Sequence, residues 1–339
     1  MRPYSQGLAP LNWQSLVQEA IRRRKAEKLT QKEHAALASV SIPTIVAFDR
    51  GEETLTLGKA FAILRVVGLV EQHSSEGAQD QFVQEALTRW QGLVAKLPED
   101  SPGRFPNGWY RIDYALEGDV RNVELHQFRD ILEQAVVRHT GWPLFLFLTR
   151  HELQPYEADG AIECWLKPED AGANRPFGDA AHCDFWRAAP TGRAFIMRGY
   201  QEDSQDTFAA RTIFDVTLPI WRMSEAFLHA ANLAKLMSKD PESVKVRLRV
   251  HYTGLTGRVL RNWGNPSSNL FFEGGAARSD EALLEATATV GEISQNLPQL
   301  LMPLVSSLFE RFGVTGLTVD AVESEVKKMM ANRFGGVRN

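Results

Sequence analysis

The sequence predicts an all-α N-terminal domain, a central α+β domain built on an antiparallel sheet, and a helical C-terminus. Three observations carry this. Capped helices with apolar residues at helical spacing fill the first 70 residues. Strand-like and helix-like segments then alternate in the order strand, helix, strand, strand from Trp109 onward. Beyond about residue 266, apolar residues return to helical spacing.

The first of these regions is the most specific. In LTQKEHAALASVSIPTIVAFDRG, at 29–51, Thr30 is placed to cap a helix, with Glu33 three residues on as in a capping box. The chain is expected to turn at Ser39 and Val40. Ser41 then caps a second helix that has Pro43 in its first turn, where a missing N–H does no harm. Ile45 and Phe48 face inward, and Gly51 ends the helix. LVQEAIRRRKAEK supplies a helix upstream and LTLGKAFAILRVVGL one downstream. Together this is the pattern of a helix-turn-helix domain, expected over residues 1–72.

With Thr30, Gln31, Ala35, Val40, Ser41, Thr44, Ile45, Arg50 and Gly51 in these places, the region resembles the Cro/CI-type (XRE) helix-turn-helix family over about residues 13–70. The resemblance implies a dimer on double-stranded DNA, with contacts from Thr30, Gln31, Ser41, Ile42, Pro43, Thr44, Ala47 and Arg50. The chain departs from the family at His34, where a core leucine is usual, at Ser39, where the turn usually has glycine, and at Asp49, usually glutamate. The groove-facing positions Ile42, Pro43 and Ala47 carry no bidentate reader. They offer only apolar contact to a thymine methyl, so the expectation is a helix-turn-helix that binds DNA with low sequence selectivity or docks a protein instead.

Charge distribution points the same way. The formal net charge of −4 excludes a protein that coats nucleic acid along its whole surface, yet residues 1–70 hold ten Lys/Arg against six Asp/Glu. The run Arg22 to Lys25 is placed either for phosphate contacts or as a solvated helix face. At 339 residues, two or three domains are expected. Two cysteines without CxxC spacing build no disulfide framework. No charged-then-apolar leader pattern opens the sequence, and the apolar run PLFLFL at 143–148 is too short to cross a bilayer. A cytosolic protein without a membrane partner is the expectation.

A helix at 82–97 and a Pro/Gly-rich segment at 98–108 lead out of the first domain, so 73–108 reads as a connector. The central domain is expected over 109–266 as two similar units. The first is strand WYRIDYAL, helix LHQFRDILEQAVVRH, strand PLFLFL, strand AIECWL. The second is strand RAFIMRGY, helix PIWRMSEAFLHAANLAKLM, strand SVKVRLRVHYTGL, strand GRVLRNW, with RTIFDVTL as an extra strand before its helix. This element order is similar to that of the tandem GyrI-like sensor fold, which implies a ligand-sensing role. In the last region, 267–339, DEALLEATATVGEISQNL and LLMPLVSSLFERF read as helix, with Leu284, Ile293, Leu301, Leu308 and Phe312 near one stripe. Pro298 and Pro303 are expected to kink or divide it. Thr318 caps a last helix. The amphipathic helices either complete the domain or pair with a second subunit.

Candidate chemistry lies in the central domain. Trp221, Glu225 and His229 recur at i, i+4 and i+8, so an aromatic wall, a carboxylate and an imidazole share a helix face that either lines a ligand site or packs as ordinary structure. An exchange of Glu225 for Gln is then expected to leave stability within about 1 kcal/mol. Trp186, one of six tryptophans between 109 and 263, belongs to an aromatic core or to the candidate pocket, and Tyr200 with Glu202 after a strand form the pocket's rim or a solvated strand end. His182 and Asp184 stand two apart, as a metal pair or an ordinary loop cap and salt bridge, and no third ligand stands at diagnostic spacing. Phosphate-loop, dinucleotide, zincin, GxSxG and zinc-finger patterns are absent from the sequence, so neither a catalytic site, nor a metal, nor a cofactor is expected. The reading is a DNA-binding transcriptional regulator with a small-molecule or protein effector. The alternatives are a defence or toxin–antitoxin component, and a DNA-targeted enzyme.

Overall fold

The computed structural model describes residues 12–38, 40–70, 75–168, 178–204, 207–265, 268, 270 and 274–331. They fall into two compact units, Met1–Ser74 and Ser75–Asn339. The expected turn at Ser39 and the leading segment MRPYSQGLAP lie outside the described residues.

The smaller unit is helical: α1 (Trp13–Ala26), α2 (Gln31–Leu37), α3 (Ile42–Asp49) and α4 (Leu57–Val66). Its helix starts follow the sequence chemistry. Asn12 caps α1, Thr30 and Glu33 form a complete capping box on α2, and the Ser41 hydroxyl accepts from the Thr44 amide at the start of α3. The four helices close over one cluster of Val17, Ala20, Ala35, Ile45, Phe48 and Ile63. Gly51 ends α3 with φ +73°, and its carbonyl accepts from Trp13 Nε1 at 3.0 Å, which ties the helix end to α1.

In the larger unit, α5 (Ser75–Val94) precedes strand β1 (Trp109–Glu117) and helix α6 (Leu125–Ala135). Strands β2 (Tyr156–Ala158), β3 (Ala161–Trp165), β4 (Phe185–Ala189) and β5 (Arg193–Gly199) follow. Then come β6 (Ile213–Asp215), α7 (Leu218–Met237), β7 (Lys245–Tyr252), β8 (Val259–Arg261), β9 (Ala282–Thr289), α8 (Val290–Glu310) and α9 (Val319–Ala331). Among the described residues the main sheet is antiparallel with order β2-β3-β4-β5-β1-β7-β9, and β6 pairs in parallel with β8 apart from it.

Strand alternation divides the sheet into two buried faces. On one, Ile112, Tyr114, Ile196, Leu248 and Val250 join the main core with α6, α7, α8 and α9. On the other, Phe185, Phe195 and Met197 meet Phe82, Val83 and Ala86 of α5. The segment 98–108 is not a loose connector: Phe105 is buried and stacks on Trp90 with ring centroids 5.8 Å apart.

Three expectations are corrected here. PLFLFL, expected as a strand, is not one. Phe145 takes φ +54°, outside any extended ladder, and its ring stacks on His229 at 4.4 Å, so side-chain packing rather than strand pairing buries the run. DEALLEATATV was expected as helix because Ala, Leu and Glu favour it. Instead Ala282, Leu284 and Ala288 are buried and Leu283, Glu285 and Thr287 exposed, the period of a strand paired along β7. The helix starts only where Thr289 forms a capping box with Glu292, and it kinks at Asn296, two residues before Pro298. Finally, DFWRAAP forms β4, a strand its own composition does not announce, because its hairpin partner β5 decides it.

The C-terminal stripe completes the unit. Ile293, Leu297, Leu301, Leu308, Phe312 and Val326 belong to the main core, and α8 and α9 both pack on α7. No helix of the described residues is long and apolar enough to cross a membrane.

Candidate functional site

In the smaller unit the inward and outward sides of α3 separate cleanly. Ile45 and Phe48 are buried, whereas Ser41, Ile42, Pro43 and Arg50 are exposed, Ile42 by 47%, and Thr44 and Ala47 are half-buried. Thr30 and Gln31 are exposed at the start of α2. Asp49 holds the arrangement together. It takes Arg24 Nη1 and Nη2 at 2.8 and 2.6 Å, and Gln31 Nε2 at 2.6 Å.

The basic run therefore splits, contrary to its reading as one phosphate-contacting stretch. Arg24 is buried and its charge spent on Asp49, while Arg22 and Arg23 both pair with Glu19, because the helix brings i+3 and i+4 beside it. Arg50 keeps only a long contact of 3.9 Å to Glu52. His34 fills the buried leucine position. Its Nε2 meets the Ile63 carbonyl at 2.9 Å, and burial holds its pKa below the ordinary value, so the ring is neutral and donates that bond.

In the larger unit a pocket forms where the start of β1, the end of β7 and the start of α7 meet the segment after β5. Tyr110, Tyr200, Phe214 and Tyr252 are its walls, and Glu202, Arg198 and Arg222 bring charge to it. It holds about 350 Å³ of empty space including its mouth, yet water centres fit into only about 20 Å³ of that. It is a narrow slot. Asp215 fixes its frame: Oδ1 accepts from the Thr217 and Leu218 amides at 2.7 and 2.8 Å, and Oδ2 from the Trp263 amide at 2.7 Å.

Electrostatics within the slot are uneven. Arg198 is committed: its Nε and Nη2 clamp Asp184 at 2.7 and 2.6 Å, and its remaining donors reach Tyr110 and the carbonyls of Trp142 and Pro143. Arg222 is committed only through Nη1, which meets Thr140, the Trp142 carbonyl and Glu225. Burial, reinforced by the negative charge of Asp215, pushes the Glu202 carboxyl up to about 7, and it forms no salt bridge among the described residues. The Tyr252 hydroxyl is buried without a hydrogen-bond partner. Burial likewise pushes the Tyr200 hydroxyl up, and that group bonds the Thr253 carbonyl at 2.8 Å.

The six expected pocket residues divide. Tyr200 and Glu202 come together in the slot. Trp186 is fully buried against Phe145 and Phe147. The shared face of Trp221, Glu225 and His229 packs as structure: Trp221 is half-buried, Glu225 is sealed between Arg222 and Thr140, and His229 Nδ1 meets the Tyr114 hydroxyl at 2.7 Å. Burial drives the His229 pKa down to about 3. The slot is instead lined by Leu218, Pro219 and Arg222, one step round α7 from the face expected. Nothing in the sequence distinguishes Tyr110, Phe214 or Tyr252 from core aromatics, since their convergence is purely tertiary.

His182 and Asp184 do not share a ligand. His182 Nδ1 pairs with Asp179 at 2.8 Å, and Asp184 accepts from Arg198 and from Trp142 Nε1 at 3.0 Å. Among the described residues no cluster of His, Cys, Asp and Glu is arranged to hold a metal, and Cys164 and Cys183 are buried and unbridged. Compared with family models, with curated proteins and with solved structures, the chain matches none.

Proposed function

We propose that this chain is a cytosolic DNA-binding transcriptional regulator. Its N-terminal helices would act as a helix-turn-helix of the Cro/CI (XRE) type, and its larger unit would carry an effector site. The observation that carries the reading is the outward face of α3. Ile42 and Pro43 are exposed on a helix whose start is capped by Ser41 and whose end is anchored through Asp49, and Arg50 is exposed just past it. A short, rigidly anchored helix with an exposed N-terminal turn is what the major groove accepts.

Apolar residues at the tip leave affinity to phosphate contacts, with Arg50, Lys25 and the capped helix starts as the donors still available. One such face makes too few contacts for stable binding, so a homodimer spanning two half-sites is part of the proposal. The experiment is an anisotropy titration of the full chain on mixed-sequence duplexes, with light scattering on the same sample. Saturable binding by a dimer that weakens steeply with salt is the expected result. A monomer that ignores duplex DNA at low salt overturns the reading.

A further inference from the structure

The slot at the start of α7 has an unused recognition edge. Arg222 spends Nη1 on protein partners, while its Nε and Nη2 donate to nothing among the described residues. Those two groups lie on one side of the guanidinium and form the fork that grips a carboxylate with two parallel bonds. This chain uses the same edge elsewhere: Arg198 holds Asp184, and Arg89 holds Glu163, each through Nε and Nη2. At Arg222 the same edge is left over, and the residue lines the slot.

We propose that this slot binds a small carboxylate with a flat apolar body, gripped by the free edge of Arg222 and by the Tyr252 hydroxyl. The inference deepens the effector reading and rests on it for its regulatory consequence alone. The Tyr252 hydroxyl is buried without a partner, a loss of about tenfold in an equilibrium that a ligand oxygen restores. The aromatic walls, Tyr110, Tyr200, Phe214 and Tyr252, accept a flat ring or short alkyl group, and the narrow free space excludes a bulky one.

Polarity favours an anion over an amine. The unspent groups of Arg222 are donors, and Glu202, pushed up to about 7 by burial, donates when it carries its proton. The charged and titratable groups around Glu202 are Asp215 of β6, Arg258, the slot's Arg198 and Arg222, and the hydroxyls of Tyr200 and Tyr252. Arg258 is itself paired with Asp203 and Arg198 with Asp184, so deprotonated Glu202 competes with a bound carboxylate for Arg222 and repels it.

Calorimetric titration of the full chain with benzoate, acetate, inorganic phosphate and benzylamine tests this without DNA. Benzoate is expected to bind one site, acetate more weakly, and phosphate and benzylamine not at all. Benzoate affinity is expected to fall several-fold between about pH 6 and about pH 8 as Glu202 loses its proton. Tyr252→Phe removes a hydroxyl with no protein partner, so the melting temperature should hold while benzoate affinity drops about tenfold. The inference is overturned if no carboxylate binds, if benzylamine binds in preference, or if Tyr252→Phe binds benzoate as tightly as the parent. Duplex binding without benzoate binding removes the carboxylate site and leaves the DNA reading standing, and the reverse result does the opposite.

Discussion

Burial of His229 makes the larger unit acid-sensitive, and the size of the effect follows from the structure. The ring is fully enclosed, stacked on Phe145 at 4.4 Å and bonded to Tyr114 at 2.7 Å, and its pKa falls from the ordinary 6.5 to about 3. The folded chain thus binds this proton less tightly than the unfolded chain. Its contribution is fully present above about pH 6.5 and is lost as pH falls toward about 3, at ~1.4 kcal/mol per pH unit. Between about pH 7.5 and about pH 4.5 the loss is therefore about 3 kcal/mol from this one group, most of it below about pH 6.5. His229→Gln keeps an acceptor for the Tyr114 hydroxyl and removes the titration. Urea unfolding followed by tryptophan fluorescence reports this unit, because of the eight tryptophans only Trp13 lies before residue 75. Stability of the parent should fall about 3 kcal/mol further than that of the variant over this range, all other groups cancelling in the difference. Parallel slopes would refute the reasoning and place a proton on His229 in the folded state.

Three further outcomes follow from named contacts. Arg24→Met should destabilise the smaller unit by about 3 kcal/mol, since it leaves the Asp49 carboxylate with one neutral partner, Gln31, and thermal melting of that unit reads the change. Ser41→Ala removes the cap from α3 and should cost about 1 kcal/mol in the same measurement, whereas a neutral result would show the cap geometry to be incidental. Glu225→Gln should cost at least about 2 kcal/mol in chemical denaturation, more than the sequence suggests, because the carboxylate neutralises buried Arg222; unchanged stability would return Glu225 to a solvent- or ligand-facing role.

These contacts also show where the sequence is legible. Caps are local chemistry, so Thr30, Glu33 and Ser41 place α2 and α3 without knowledge of anything distant. Central strands with clear alternation, such as KVRLRVHY, are equally readable. Failure comes where a neighbour decides. Leu283 to Thr289 have the composition of a helix and become a strand because β7 offers an open edge. PLFLFL has the composition of a strand and becomes an irregular buried segment because Phe145 is wanted against His229. The slot failed by one residue: Trp221 advertised a face of α7, while Arg222 beside it carries the free edge. Arg24 was hidden within a run of identical neighbours, and only the position of Asp49 on α3 separates it from them.

The central claim is that α3 meets duplex DNA through an apolar tip, and selection from randomised duplexes at two salt concentrations tests it most directly. With Ile42, Pro43 and Ala47 in the groove, the parent should enrich thymine-rich half-sites only weakly and lose affinity steeply as salt rises. Arg50→Ala should weaken every sequence about equally. Ala47→Gln should sharpen preference at one base pair by roughly 1–3 kcal/mol, because it introduces a bidentate reader. Strong selection of a guanine-rich site by the parent, or an Ala47→Gln variant with an unchanged profile, would contradict the account.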